Sequence, residues 1–197
     1  MKYLNVLALF SISLLLVGCG SDDDKSSGAG PKTPVYAFQT DLTFTVGSIK
    51  TEAPQFNNYC SSSFGNYAPA VTCTNFYSFI GRSSTSGLKS FIATNSLDAA
   101  SPVKLIDGTT TIASSLQDLV NKGPNLMGFE TWSGWPDAYW YSGVGSDGGA
   151  GNNCQDFADD TSGSTINVGT NASYFSWEDR SPVCDYYDDY RIICLCN

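Results

Sequence analysis

Apolar and polar positions change rhythm several times along this chain, and each change marks an element. Val35 to Phe44 alternates and is rich in Val, Tyr, Phe and Thr, which predicts a first strand. Gly47 to Tyr67 carries prolines, asparagines and serines, and reads as a long loop stapled by Cys60. From Pro69 onward, Cys73, Phe76, Tyr77 and Ile80 fall at helical spacing with Gly81 as a stop, predicting a first helix. Lys89 to Thr94 is a short buried strand or turn, and Val103 to Ile106 is a strand closed by Asp107-Gly108. Thr110 to Asn121 predicts a second helix, with Ile112, Leu116, Leu119 and Val120 on one face and Gly123 at its end. Ser115 and Asp118 have capping spacing, which would start that helix later.

Beyond Pro124 the pattern becomes short strands and long loops. Trp140-Tyr141 opens a strand, Gly143 to Asn153 is a glycine and asparagine loop, and Gly163 to Ser173 is rich in turn formers. Tyr190 to Leu195 is a final buried strand, preceded by the acidic segment Asp185 to Tyr190, which reads as a hydrated loop. The order of strand, two helices, then strands and loops predicts an α+β domain.

The first residues follow a different logic. Lys2 followed by the apolar run Val6 to Val17 is too short to span a membrane. It leads through Leu16-Val17-Gly18 into Cys19, the bacterial lipobox pattern, so residues 1–18 read as a lipoprotein signal peptide and Cys19 as the lipidated residue. Residues 19–34, rich in Gly, Ser, Asp and Pro, make a flexible tether. Gly20 leaves the position after Cys19 without aspartate, which leans toward the outer membrane or cell surface of a bacterial envelope. Residues 35–197 remain as one domain.

Composition narrows the function. Charged residues are 15% of the 197-residue chain and aromatics 13%, with 19 glycines, an extracellular, loop-rich profile. A net charge of −9 and a pI near 4.2 exclude nucleic acid as a partner, because phosphate binding needs clustered cations. The chain has no histidine, which removes Ser-His-Asp and Cys-His machinery. Setting Cys19 aside leaves Cys60, Cys73, Cys154, Cys184, Cys194 and Cys196, an even set that reads as three disulfides in an exported protein. Cys194 and Cys196 share one face of the final strand, and a bond between them would strain it, so each needs a distant partner.

Several segments in order carry a resemblance: the Cys73 segment followed by KSFIATNS, LIDGTTTIASSLQDLV, YWYSGVGSDG, NNC at Asn152 to Cys154, and Trp177 to Cys184 leading into RIIC. Together they resemble the C-type-lectin-like superfamily, and more closely a bacterial lipoprotein domain family of unknown function with a lectin- and endostatin-type fold. The resemblance implies two helices, short antiparallel strands and a long loop region. It implies a long-range disulfide from the first helix to the last strand, hence Cys73–Cys194, and a second closing the loop region, Cys154–Cys184. Cys60–Cys196 would then be an extra staple outside the common pattern.

In calcium-dependent members a Trp-Asn-Asp at the place of Trp177-Glu178-Asp179 supplies metal ligands, which would give Glu178 and Asp179 that role. The other half-site, Glu-Pro-Asn or Gln-Pro-Asp, is missing. Ser146-Asp147-Gly148-Gly149 and Asn152-Asn153 stand in its place, so no Ca2+ is required. The expected ligand surface is the loop region from Met127 to Asp179, where Trp132, Trp135 and Tyr139 offer rings to sugar C–H faces and Asp147, Asn152 and Asn153 offer polar groups. Trp140 and Trp177 read as core.

The function expected is a lipid-anchored extracytoplasmic binding module for a glycan or protein ligand, not an enzyme. A structural assembly protein of the envelope is the alternative. A carboxylate-pair hydrolase would have to use Glu130 and Glu178.

Overall fold

The computed structural model describes residues 32–48, 50, 53–82, 85–123, 139–159, 161–170, 176–185 and 189–197. The chain divides into two units, Met1–Gly30 and Pro31–Asn197, and every described residue lies in the second. The signal, Cys19 and most of the tether therefore fall outside the described residues.

The C-terminal strand is the hub, and it is longer than its apolar core suggests. Among the described residues it is the last of nine strands: β1 (Val35–Gln39), β2 (Phe44–Thr45), β3 (Phe76–Ser78), β4 (Val103–Leu105), β5 (Thr111–Ala113), β6 (Tyr139–Tyr141), β7 (Val168–Thr170), β8 (Ser176–Arg180) and β9 (Asp189–Cys196). They form one sheet in the order β5-β4-β1-β9-β6-β7-β8, with β2 and β3 also paired to β9. Both β1 and β3 pair with the end of β9, Phe38 and Ser78 each lying opposite Cys194, so they occupy its two edges. β6 takes Arg191 and Ile192 in parallel, and β2 takes Asp189 and Tyr190. Four strands thus divide eight residues of backbone between them.

The expectation of antiparallel strands is corrected, because β1 with β4 and β6 with β9 run parallel and the sheet is mixed. The class is α+β, with four short helices among the described residues in place of two: α1 (Phe56–Asn66), α2 (Phe91–Thr94), α3 (Leu116–Lys122) and α4 (Cys154–Phe157).

Three segments differ from the pattern reading, each for a tertiary reason. The expected strand Val35 to Phe44 is split where Thr40 Oγ1 donates to the Leu42 carbonyl (2.7 Å), so that β1 and β2 follow β9 separately. The expected loop Gly47 to Tyr67 contains α1, whose buried face is Phe56, Cys60 and Ser63. That face has helical spacing, but one of its members is a serine, bonded to the Asp41 carboxylate. The expected helix from Pro69 to Gly81 is instead irregular chain and β3, since Phe76–Ser78 completes the open edge of β9. Two further segments shift. Lys89 to Thr94 is helical, a 3-10 turn at Gly87–Ser90 running into α2. The second helix starts late, at Leu116, because Ser115 accepts the Asp118 N–H (3.0 Å) while Thr111–Ala113 returns along β4.

The disulfides follow from the position of α1. Cys60 bonds Cys194 and Cys73 bonds Cys196, with sequence separations of 134 and 123, which corrects the expected Cys73–Cys194 and Cys60–Cys196 pairs. The first helix is tied to the last strand, but the cysteine on that helix is Cys60. Cys154–Cys184 forms as expected, with a separation of 30.

Two cores result. One holds Phe38, Phe79, Leu116, Leu119, Trp140 and Trp177 with Ile193 to Cys196, and the other holds Phe44, Phe56, Tyr141, Ile166 and Val168 with Tyr190 and Ile192. β9 contributes to both. Trp140 and Trp177, 0% and 2% exposed, are core residues.

Candidate functional site

A cavity of about 330 Å³ opens between α1, β3 with the residues after it, and the turn leading through α2. Its construction begins at the Cys60–Cys194 bond. One helical turn before Cys60, Asn57 stands on the outer edge of α1, and opposite it Ser78 closes β3. The Ser78 N–H and hydroxyl both donate to Asn57 Oδ1, at 2.7 and 2.8 Å. This pair of donors fixes the amide orientation, because only the oxygen can face them. Asn57 Nδ2 is left with no partner among the described residues.

Arg82 completes this wall. Its Nη2 donates to the Ala53 carbonyl (3.1 Å) and to Ser78 Oγ (2.9 Å). A directed chain therefore runs from the guanidinium through the buried serine to the asparagine. No carboxylate among the described residues pairs with Arg82, whereas Lys32, Lys89 and Lys122 sit 2.7 to 2.9 Å from Asp98, Asp147 and Asp118. The residue is exposed overall, but its guanidinium lies among protein atoms, and that desolvation lowers its pKa from the usual arginine value. An arginine so shifted remains a cation at neutral pH.

The facing wall is helical and less polar. Phe91, buried in the core, meets Tyr77 of β3 edge to face with centroids 6.4 Å apart, and both residues line the cavity. Asn95 donates its amide N–H to the Phe91 carbonyl (2.9 Å), which leaves its Oδ1 as an acceptor beside the Thr94 hydroxyl. Among the described residues the lining contains no carboxylate and no thiol.

The long-loop segment braces this wall from behind. Leu88 N–H donates to the Gly148 carbonyl (3.0 Å), and Lys89 pairs with Asp147 (2.7 Å). Gly87 has a φ of +53°, and a Cβ there would lie 2.0 Å from the Gly149 carbonyl oxygen. Only glycine allows both that conformation and that approach.

The residues expected to bind ligand are not brought together at this cavity. Trp132 and Trp135 lie outside the described residues. Tyr139 is half-buried in β6 beneath Arg180, whose guanidinium carbon is 4.0 Å from the ring centroid. Asp147 is exposed and engaged with Lys89 and the Gly149 N–H, and the Lys89 hydrogen bond holds its carboxyl below the ordinary aspartate range. Asn152 is exposed, and its backbone carbonyl accepts the Asn167 N–H (2.7 Å).

Asn153, 2% exposed, caps α4 through the Asp156 N–H and donates to the Gly81 carbonyl (3.3 Å), a structural post. Glu178 and Asp179 lie on β8, with their side chains outside the described set. Among the described residues no group of three His, Cys, Asp or Glu could hold a metal ion.

Pattern reading passed over Arg82, Asn57 and Ser78. The available signal was arithmetic: a chain with 10 cations against 19 acids leaves few bases unpaired, and Arg82 follows a glycine stop in a run of neutral residues. A scan against protein-family models and a search of the curated proteins each find no match for this chain.

Proposed function

We propose that this chain is a lipid-anchored binding module of the bacterial cell envelope, of C-type-lectin-like architecture, that holds a glycan or protein ligand without transforming it. The cavity supports this reading. Its polar groups are fixed by neighbours and aimed by the fold, while its lining offers positioning rather than acid–base or thiolate chemistry. A few oriented polar groups among apolar lining residues are what orient a ligand in a preformed site. The Cys60–Cys194 bond ties α1 to β9 opposite Ser78 and so holds Asn57 and Ser78 of one wall in place, which limits the conformational freedom lost on binding. The long loops contribute by bracing one wall through Gly148 and Asp147.

An array of glycans and envelope proteins, probed with the full chain with and without a calcium chelator, tests the proposal. Saturable binding that survives chelation is expected. Failure to bind any arrayed ligand, together with assembly of the chain into higher oligomers, would instead identify a structural protein of the envelope.

A further inference from the structure

Among the described residues Arg82 is the cation that lines the cavity, and no carboxylate pairs with it. In a chain with a net charge of −9, Lys32, Lys89 and Lys122 are each matched by an aspartate, whereas Lys104 donates to the Gly108 carbonyl and Arg82, which faces the cavity, donates to a carbonyl and a hydroxyl. Both contacts use Nη2, so Nη1 and Nε stay open to an incoming acceptor. Any hydrogen bond the guanidinium makes there is charge-assisted, about twice as strong as one between neutral groups, and an anionic acceptor adds charge attraction to it.

The neighbouring groups narrow the class of anion. One guanidinium with neutral donors matches one negative charge better than a phosphate dianion, which would draw on further cations. Asn57 Nδ2, the Thr94 hydroxyl and Asn95 Oδ1 provide donors and an acceptor around the cation, suited to hydroxyls. Tyr77, Ile80 and Phe91 give the lining an apolar side against which a sugar's C–H groups can pack. At about 330 Å³ the space is at the small end of ligand pockets, suiting a single sugar unit rather than a long chain.

We infer that the cavity takes the carboxylate-bearing residue of an acidic glycan, a uronic or sialic acid unit, with Arg82 as the charge partner and Asn57 and Asn95 reading its hydroxyls. This rests on the binding-module reading above and names the ligand class of the same site.

The test compares the full chain's binding to glucuronate- and sialate-terminated oligosaccharides with its binding to the same oligosaccharides after reduction of the carboxyl to an alcohol. Reduction should weaken binding at least tenfold. Arg82→Gln should abolish the difference between the two sets, and Thr94→Trp, placed at an exposed lining position, should block both. A thermal melt of each variant checks the fold. If Arg82→Gln does not fold, the carboxyl-reduced comparison on the unaltered chain and the Thr94→Trp result still decide.

Equal binding of acid and alcohol forms overturns the inference, as does preference for sulfated or phosphorylated sugars or for acidic peptides. In those cases the binding-module reading survives. An absence of binding to any glycan or protein overturns that reading and the inference with it.

Discussion

The C-terminal half of β9, paired with β1 and β3, and its N-terminal half, paired with β6, each carry a flank of the molecule, and the two flanks solve the same problem by different means. On one, α1, β1 and β3 pack regular backbone with aromatic rings: Phe38 meets Phe64, Tyr67 and Phe76 at centroid distances of 5.5, 6.4 and 6.5 Å. On the other, β6 to β8 are short and joined by loops, and buried amides replace the missing ladder. Asn167 Nδ2 donates to the Val144 carbonyl (2.8 Å), and its Oδ1 accepts the Ser181 hydroxyl (2.7 Å). The same flank holds α4, where Cys154 to Phe157 all have positive φ, a left-handed turn that L-residues adopt at a cost of about 1–2 kcal/mol each. The comparison shows that irregular chain can be buried when side-chain amides satisfy its carbonyls. The disulfides differ likewise, two of long range on the first flank and one local bridge on the second.

The cysteines separate the two flanks most strongly. On the chain-entropy account, a first bridge across 134 residues stabilises by about 5 kcal/mol. With it in place, Cys73–Cys196 closes a circuit of only about 15 residues, worth about 3 kcal/mol. Replacing all four cysteines of the first flank by alanine should therefore remove about 8 kcal/mol, enough to unfold a typical domain. Replacing either pair alone should cost about 3 kcal/mol, close to the roughly 3.6 kcal/mol for Cys154–Cys184. Urea unfolding of the three pair variants and the quadruple variant measures this. Single-pair losses of about 5 kcal/mol each, adding up to the loss of the quadruple variant, would show that the bridges do not share one circuit.

Core substitutions come next. Phe38→Ala should cost about 3–5 kcal/mol through lost burial and the cavity left among three rings. Asn167→Ala should cost about 1–3 kcal/mol, since it leaves the Val144 carbonyl and the Ser181 hydroxyl without their partner. The ratio, read from midpoints of chemical denaturation, reports whether packing or amide bonding dominates each flank. Equal losses would erase the distinction drawn here.

The smallest effects per residue are electrostatic and belong to both flanks. On the first, desolvation raises the Asp41 pKa, but hydrogen bonds from Ser63 and Asn66 and the field of Arg191 outweigh it and hold the carboxyl below its ordinary value. On the second, the Ser164 and Thr161 hydroxyls lower Asp159. Each folded pKa lies below its unfolded one, so the stabilisation is present above about pH 4 and is lost as pH falls through the lowered values. Melting temperature should accordingly be level from pH 7 to about pH 5 and decline below about pH 4. A decline beginning near neutral pH would contradict this assignment.

The elements that could be read in advance were those with a local cause. The Ser115 cap announces where α3 starts, the Asp107-Gly108 turn joins β4 to β5, and Trp140 and Trp177 behave as core. The misread segments have a distant cause. Phe76 and Tyr77 sit at helical spacing, but the open edge of β9 offers their backbone a ladder and draws them into a strand. α1 was hidden by Ser63, whose burial makes sense only once Asp41 is beside it. Arg82 is unremarkable among neighbours in the chain and becomes a candidate ligand group because Ala53 and Ser78 are brought to it.

By itself, then, the sequence determined the α+β class, an apolar closing strand and a cysteine set of the right number for three bridges. Those are properties of composition and short-range pattern, and they survive any arrangement of partners. Tertiary structure decided which cysteine answers Cys194, which aromatic segment becomes a strand, and which cation is left facing a cavity. Alternation tells a residue which face it occupies, but the partner on that face is chosen by closure of the whole sheet around β9.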